Sequence, residues 1–78
     1  MNKARRERLD KAISQLETLS GELEAIKEEE DEAFNNLSEN LQQAERGEAM
    51  AEAVNELDTA IQALDDAKTA CENAKGDS

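Results

Sequence analysis

A stripe of mainly apolar residues runs through the second half of the chain at alternating steps of four and three residues. Its members are Met50, Val54, Leu57, Ile61, Leu64, Lys68 and Cys71. The flank of the same stripe carries Ala53, Ala60, Ala67 and Ala74. Such a heptad repeat is typical of a helix that packs along another helix. It predicts a helix over residues 48–75, ended by Gly76 before a short disordered Gly-Asp-Ser tail.

The first half of the chain carries the other long apolar repeat. Its members are Leu9, Ala12, Ile13, Leu16, Leu19, Leu23, Ile26 and Ala33. Acidic and basic residues fill the opposite face, so the pattern predicts an amphipathic helix over residues 3–34. Gly21 lies inside this pattern and costs about 1 kcal/mol relative to alanine, which weakens the helix without ending it.

Residues 35–47 form the predicted connector between the two helices. Asn36, followed three residues later by Glu39, resembles a capping box that opens a short helical turn. The connector joins the two helices at one end of the fold, which we call the closed end. Three large apolar residues around the turn are expected to cover this end: Phe34, Leu37 and Leu41. Gly47 marks the boundary after which the second helix begins.

These patterns predict an all-α fold: a single domain over residues 1–78, folded as an antiparallel, coiled-coil-like helical hairpin. We expect Leu9, Ile13, Leu16, Leu23 and Ile26 to face Val54, Leu57, Ile61 and Leu64. A chain of this length buries little core and is marginally stable alone. The side of helix 1 with Leu19 and Ile26, and the alanine flank of helix 2, stay available. We therefore expect a homodimer that forms a four-helix bundle.

Acidic residues dominate the chain, which has a net charge of −11. Residues 1–11 hold five basic and two acidic side chains, a local charge of +3, so residues 12–78 carry −14. Such a body repels nucleic acid and attracts basic protein surfaces. The densest carboxylates are the candidate protein-binding residues: Glu28, Glu29, Glu30, Asp31, Glu32, Asp65 and Asp66. Alternatively, these acids form a solvated face that keeps the hairpin soluble.

No residue pattern in the chain points to catalysis, and we predict neither an enzyme nor a cofactor. The chain has no histidine or tyrosine, so Cys71 has no imidazole to activate it. Carboxylates on a straight helix point outward and do not converge on a metal ion, so no metal site is predicted. The basic N-terminus could contact nucleic acid, but the acidic body opposes this and no aromatic platform supports it.

The location that the sequence predicts is the cytoplasm. A single cysteine on the apolar stripe fits a reducing compartment. No apolar run approaches the roughly 20 residues that span a bilayer, and no apolar segment of a signal peptide follows the basic N-terminus. We therefore expect neither membrane insertion nor secretion by a standard signal.

The connector and its surroundings resemble a known group of proteins. Residues 28–48 read Glu-Glu-Glu-Asp-Glu-Ala-Phe-Asn-Asn-Leu-Ser-Glu-Asn-Leu-Gln-Gln-Ala-Glu-Arg-Gly-Glu, and the repeat of Leu57, Ile61 and Leu64 follows. This run resembles small acidic helical proteins of unknown function that are encoded by bacteriophages and integrated mobile elements. Ser38 stands where their pattern has proline, and Ala44 where it often has serine, so both helix starts are weaker here. The resemblance implies a mobile-element setting and little chemistry.

Two kinds of binding function fit these observations. The first is an adaptor or regulator that binds other proteins through its coiled-coil helices, which requires only the apolar stripes. The second is a DNA mimic that inhibits a host defence nuclease or DNA-binding protein, because B-DNA presents one negative charge per about 1.7 Å of its axis. Binding by a mimic should weaken steeply with salt, whereas helix pairing should barely change.

Overall fold

The computed structural model describes residues 1–76, which form three α-helices. These are α1 (Lys3–Asn35), α2 (Glu39–Gln42) and α3 (Glu45–Lys75). The two long helices pack against each other, and α2 packs on α3, in a rod of 58 × 14 × 14 Å. The predicted helical hairpin is confirmed. Asp77 and Ser78, the end of the expected tail, lie outside the described residues.

The outer ends of the hairpin follow local capping rules. Asn2 caps α1, because its side-chain oxygen accepts a hydrogen bond of 2.8 Å from the backbone N–H of Arg5. Gly76 ends α3 with a φ of +72°, which glycine adopts without steric cost. The predicted bounds of residues 3 and 75 are therefore correct, and α1 ends one residue later than predicted.

The start of the second long helix was predicted wrongly. α3 begins at Glu45 and not at residue 48, with Ala44 as an N-cap that makes no side-chain hydrogen bond. Gly47 is buried within the first turn. A Cβ atom there would lie 2.3 Å from the backbone oxygen of Gln42, so the glycine serves close packing and not a helix boundary.

The connector contains the predicted short helical turn, α2, but its N-cap is Ser38 and not Asn36. Asn36 follows the end of α1 as its C-cap, and Ser38 is the N-cap of α2, where its hydroxyl accepts from the backbone N–H of Leu41 at 3.4 Å. Phe34 and Leu37 are half-buried, as expected of side chains that cover this end, whereas Leu41 is 47% exposed. The closed end is therefore covered by two of the three expected apolar side chains.

The seam between α1 and α3 forms an incomplete core. Among residues 1–76, Ile13 is the one buried apolar side chain, at 9% exposure, and the other seam residues are half-buried. Ile26 was expected to face α3 but is 50% exposed. Its neighbour Lys27 is half-buried instead, as are Ser20 and Glu30. The seam thus becomes more polar towards the closed end.

Candidate interaction surfaces

Three ion pairs connect the two long helices. Lys27 Nζ lies 3.0 Å from Asp58 Oδ1, Lys68 Nζ lies 3.2 Å from Glu17 Oε1, and Lys75 Nζ lies 2.7 Å from Asp10 Oδ1. The two residue numbers of every pair have the same sum, as expected of two antiparallel helices in one uninterrupted register. Each lysine side chain is about one-third exposed, so water screens the pairs and their main effect is on register and not on stability.

The lysines lie on the seam and reach to one edge of it, where acidic residues recur every seven positions. We call this edge the acidic flank: Asp10, Glu17, Glu24 and Asp31 of α1, with Asp58, Asp65 and Glu72 of α3. Glu17, Glu24, Asp65 and Lys68 line one groove between the helices. The Glu17 carboxylate, through a hydrogen bond and its negative charge, raises the pKa of Lys68, with smaller contributions from Glu72 and Asp65.

The opposite edge of the seam carries only alanine, leucine and isoleucine. We call it the apolar flank: Ala12, Leu19, Ile26 and Ala33 of α1, with Ala53, Ala60, Ala67 and Ala74 of α3. Residues two positions apart, such as Asp10 and Ala12, are about 200° apart around a helix, which separates the two flanks. Ala12 and Ala74 line one groove at the open end, so the two rows meet along one edge. Leu19 and Ile26 are 44% and 50% exposed.

The structure spreads the predicted acidic cluster around α1. Five consecutive residues of an α-helix, at about 100° each, cover its whole circumference. Glu28, Glu29, Asp31 and Glu32 are exposed in different directions, whereas Glu30 is half-buried in the seam. These carboxylates do not form one patch.

The second predicted acidic pair is also divided between two surfaces. Asp65 and Asp66 are both exposed. Asp65 lies on the acidic flank and lines the groove shared with Glu24, whereas Asp66 is the next residue and is turned by about 100° towards the outer face. Of the seven predicted site residues, the acidic flank therefore includes Asp31 and Asp65.

The ion pairs of the seam lysines do not follow from the heptad pattern alone. That pattern places Lys68 on the apolar stripe and indicates no role for Lys27 or Lys75. The sequence does contain the information for these ion pairs, because an acidic residue occupies the position opposite each lysine in the antiparallel register. That match becomes visible only after the register of the hairpin is known.

Two features are absent from residues 1–76: a cluster of metal-binding side chains and a membrane-spanning helix. No three His, Cys, Asp or Glu side chains there are grouped so that they could hold a metal ion. None of the helices in the described part of the chain combines the length and apolar character needed to span a bilayer. Comparisons with protein-family models, curated proteins and solved structures give no match.

Proposed function

We propose that this protein acts by protein–protein binding through its coiled-coil helices, as an adaptor or regulator encoded by a phage or another mobile element. The observation that carries the proposal is the uncovered apolar surface of the hairpin. Ile13 is the one buried apolar side chain among residues 1–76, while Leu19 and Ile26 stay half-exposed on one edge. Helices with such an apolar row are stabilised when another helix covers it. The resemblance of residues 28–48 to small acidic phage proteins supports the mobile-element setting.

The charge of the closed half defines the chemistry of the partner. Residues 28–57 hold ten acidic residues and one basic residue, Arg46. A partner that covers the apolar edge near this half must approach a strongly negative surface. Its contact region is therefore expected to combine apolar side chains with a basic rim.

Capture from a host lysate by the immobilised full chain, at low and at moderate salt, tests this function. We compare the wild type with Leu19→Ser plus Ile26→Ser, which alters the apolar flank, and with Asp65→Asn plus Asp66→Asn, which alters charge alone. Helix pairing predicts that a specific partner stays bound at moderate salt and is lost only with the first variant. If the variant with Leu19→Ser plus Ile26→Ser captures the partner as well as the wild type does, the proposal is contradicted.

DNA mimicry is the second candidate, and the negative closed half of a 58 Å rod favours it. Such a protein would occupy the basic groove of a host nuclease or DNA-binding regulator. Three of the seven acidic-flank carboxylates already contact lysines, which lowers the negative charge along that edge.

Neutralising the acidic run separates the two candidates. Mimicry predicts that Glu28→Gln, Glu29→Gln and Asp31→Asn together abolish partner binding without lowering helicity, and that DNA competes for the partner. Should binding survive this change but be lost with Leu19→Ser plus Ile26→Ser, the mimicry hypothesis is wrong and helix pairing is supported.

A further inference from the structure

We infer that the apolar flank is a self-association surface, occupied by a second copy of this chain that runs antiparallel to the first. The inference deepens the proposed function and rests on its premise that the helix faces bind protein. It assigns the edge with Leu19 and Ile26 to a second copy, with which a host partner would compete for the same side chains. The resulting pair would be a four-helix bundle with both acidic flanks on its outside.

The distribution of charge selects a second copy as the occupant. Two chains that each carry −11 repel one another wherever acidic side chains face each other. No acid belongs to the eight residues of the apolar flank, although acids such as Glu22 beside Leu19 border it. A twofold pair brings the same surface of both copies together, so this row would contact itself. Its alanines allow the helices to approach closely, and Leu19 and Ile26 supply the larger contacts.

A second copy that covers one whole long face of the rod would form an interface of standard size. One long face of a rod that measures 58 × 14 Å covers roughly 800 Å², which is the area that each partner contributes to an interface of standard size. The partner copy would also cover the open side of a seam whose residues are half-buried in a single hairpin. Self-association would therefore complete the core that one hairpin leaves incomplete.

Charge complementarity sets the orientation of the second copy. At the open end, residues 1–11 and 68–76 together hold seven basic and three acidic residues. At the closed end, residues 28–57 hold ten acidic residues and one basic residue. A twofold axis perpendicular to the rod places the open end of each copy beside the closed end of the other. A parallel pair would place the two acidic ends side by side.

Named side chains border the apolar flank at both ends. Arg5 and Arg8 line the same groove as Ala12 and Ala74 at the open end. Glu29 lies three residues after Ile26, and Glu56 three residues after Ala53, so both share a helix face with the flank near the closed end. In the antiparallel pair these arginines approach these glutamates across the interface.

Sedimentation equilibrium of the purified full chain tests the surface. We expect a dimer, and we expect Leu19→Ser plus Ile26→Ser to weaken the dimer on the order of 100-fold, because two apolar anchors of each copy are lost. Leu41→Ser is the matched control, since Leu41 is exposed to a similar extent, 47%, but lies outside the flank. A well-folded monomer at high micromolar concentration, or a double variant as dimeric as the control, overturns the inference.

Charge reversal tests the orientation. Arg5→Glu with Arg8→Glu, and separately Glu29→Lys with Glu56→Lys, should each weaken the homodimer by about tenfold, while an equimolar mixture of the two variants should restore association. A mixture that associates no better than either variant overturns the antiparallel arrangement. These experiments use the chain alone, so a monomeric chain contradicts this inference only. Capture of a host partner that is unchanged by Leu19→Ser plus Ile26→Ser contradicts only the proposed function.

Discussion

Gly47 packs directly against the backbone of Gln42, so the first turn of α3 and the end of α2 are in close contact. A Cβ atom on Gly47 would lie 2.3 Å from the carbonyl oxygen of Gln42 and 2.5 Å from that of Leu41. Both neighbours are backbone atoms, which cannot move aside as a flexible side chain can. The closed end of the hairpin therefore depends on the absence of a side chain at this position.

Alanine substitution at two glycines should change stability in opposite directions. Gly47→Ala forces the connector away from α3 and should lower the free energy of unfolding by about 1–3 kcal/mol, as overpacking does elsewhere. Gly21→Ala is the matched control, because Gly21 lies within α1 and a Cβ there meets nothing within 4 Å. It should raise the free energy of unfolding by about 0.5–1 kcal/mol.

Urea unfolding of both variants at one protein concentration measures these changes, since the stability of an associating chain depends on concentration. Two changes of the same sign would contradict the contact between Gly47 and the connector.

Gln42 should stabilise the end of α1. Its Nε2 donates to the carbonyl oxygens of Phe34 at 3.1 Å and Leu37 at 3.2 Å, at a helix end that has no basic residue in its last turn. Gln42→Met keeps the length of the side chain but removes the donor, and should cost about 1–2 kcal/mol of unfolding free energy. The neighbouring exposed Gln43 provides the control, Gln43→Met, which should change stability little. Equal losses in the two variants would argue against this capping role.

The hairpin could be predicted from sequence because its helices follow strong local signals. The repeat from Met50 to Cys71 predicts α3, and Gly76 marks its C-terminal end. The end of α1 coincides with Asn35 and Asn36. The start of α3 could not be predicted. Ala44 offers no capping side chain, and only the contact with Gln42 explains why Gly47 lies inside a helix.

The exact face of α1 was also beyond local prediction. Ile26 and Lys27 differ by about 100° around the helix, and hydrophobicity alone favours Ile26 for the seam. In the structure, Lys27 and not Ile26 follows Leu16 and Leu23 along the seam, and Lys27 contacts Asp58. The acidic candidates failed to form one patch for a related reason, since a run that is dense in sequence is dispersed by helical geometry. Ion-pair matching across the hairpin was the missing information.

The contact between Lys68 and Glu17 should make stability fall at high pH. The Glu17 carboxylate raises the pKa of Lys68 above its ordinary value of 10.5 in the folded chain. The pair therefore contributes fully below pH 10.5, and its contribution disappears as the pH rises through the folded pKa. The melting temperature, measured at about pH 9 and about pH 11.5, should fall less in Glu17→Gln than in the wild type.

Glu22→Gln is the control for this alkaline effect. Glu22 is exposed on α1, and the residue borders the grooved surface near Leu19 and not the seam lysines. Glu22→Gln should leave the fall in melting temperature between the two pH values the same as in the wild type. If Glu17→Gln and Glu22→Gln reduce the fall in melting temperature at high pH equally, general charge repulsion and not the contact with Lys68 explains the fall.

Neutralising the end of the acidic run should stabilise α1. Asp31 and Glu32 lie beside and within its last turn, where negative charge opposes the helix dipole and no basic residue offsets it. Asp31→Asn and Glu32→Gln should each raise the free energy of unfolding by about 0.3–1 kcal/mol at low salt, and the gain should shrink as salt is added. Urea unfolding at two salt concentrations measures both effects.

The control lies near the opposite end of the same helix. Glu7→Gln removes an acid from the N-terminal part of α1, where negative charge is favourable, and from the position one turn before Lys11, so it should lower stability by about 0.3 kcal/mol. If all three neutralisations stabilise equally, they report relief of the net charge of −11 and not the helix dipole. A gain confined to Asp31 and Glu32 would mean that the chain keeps these carboxylates at a cost in stability. That outcome is expected of a surface maintained for binding, because folding alone would favour neutral or basic residues there.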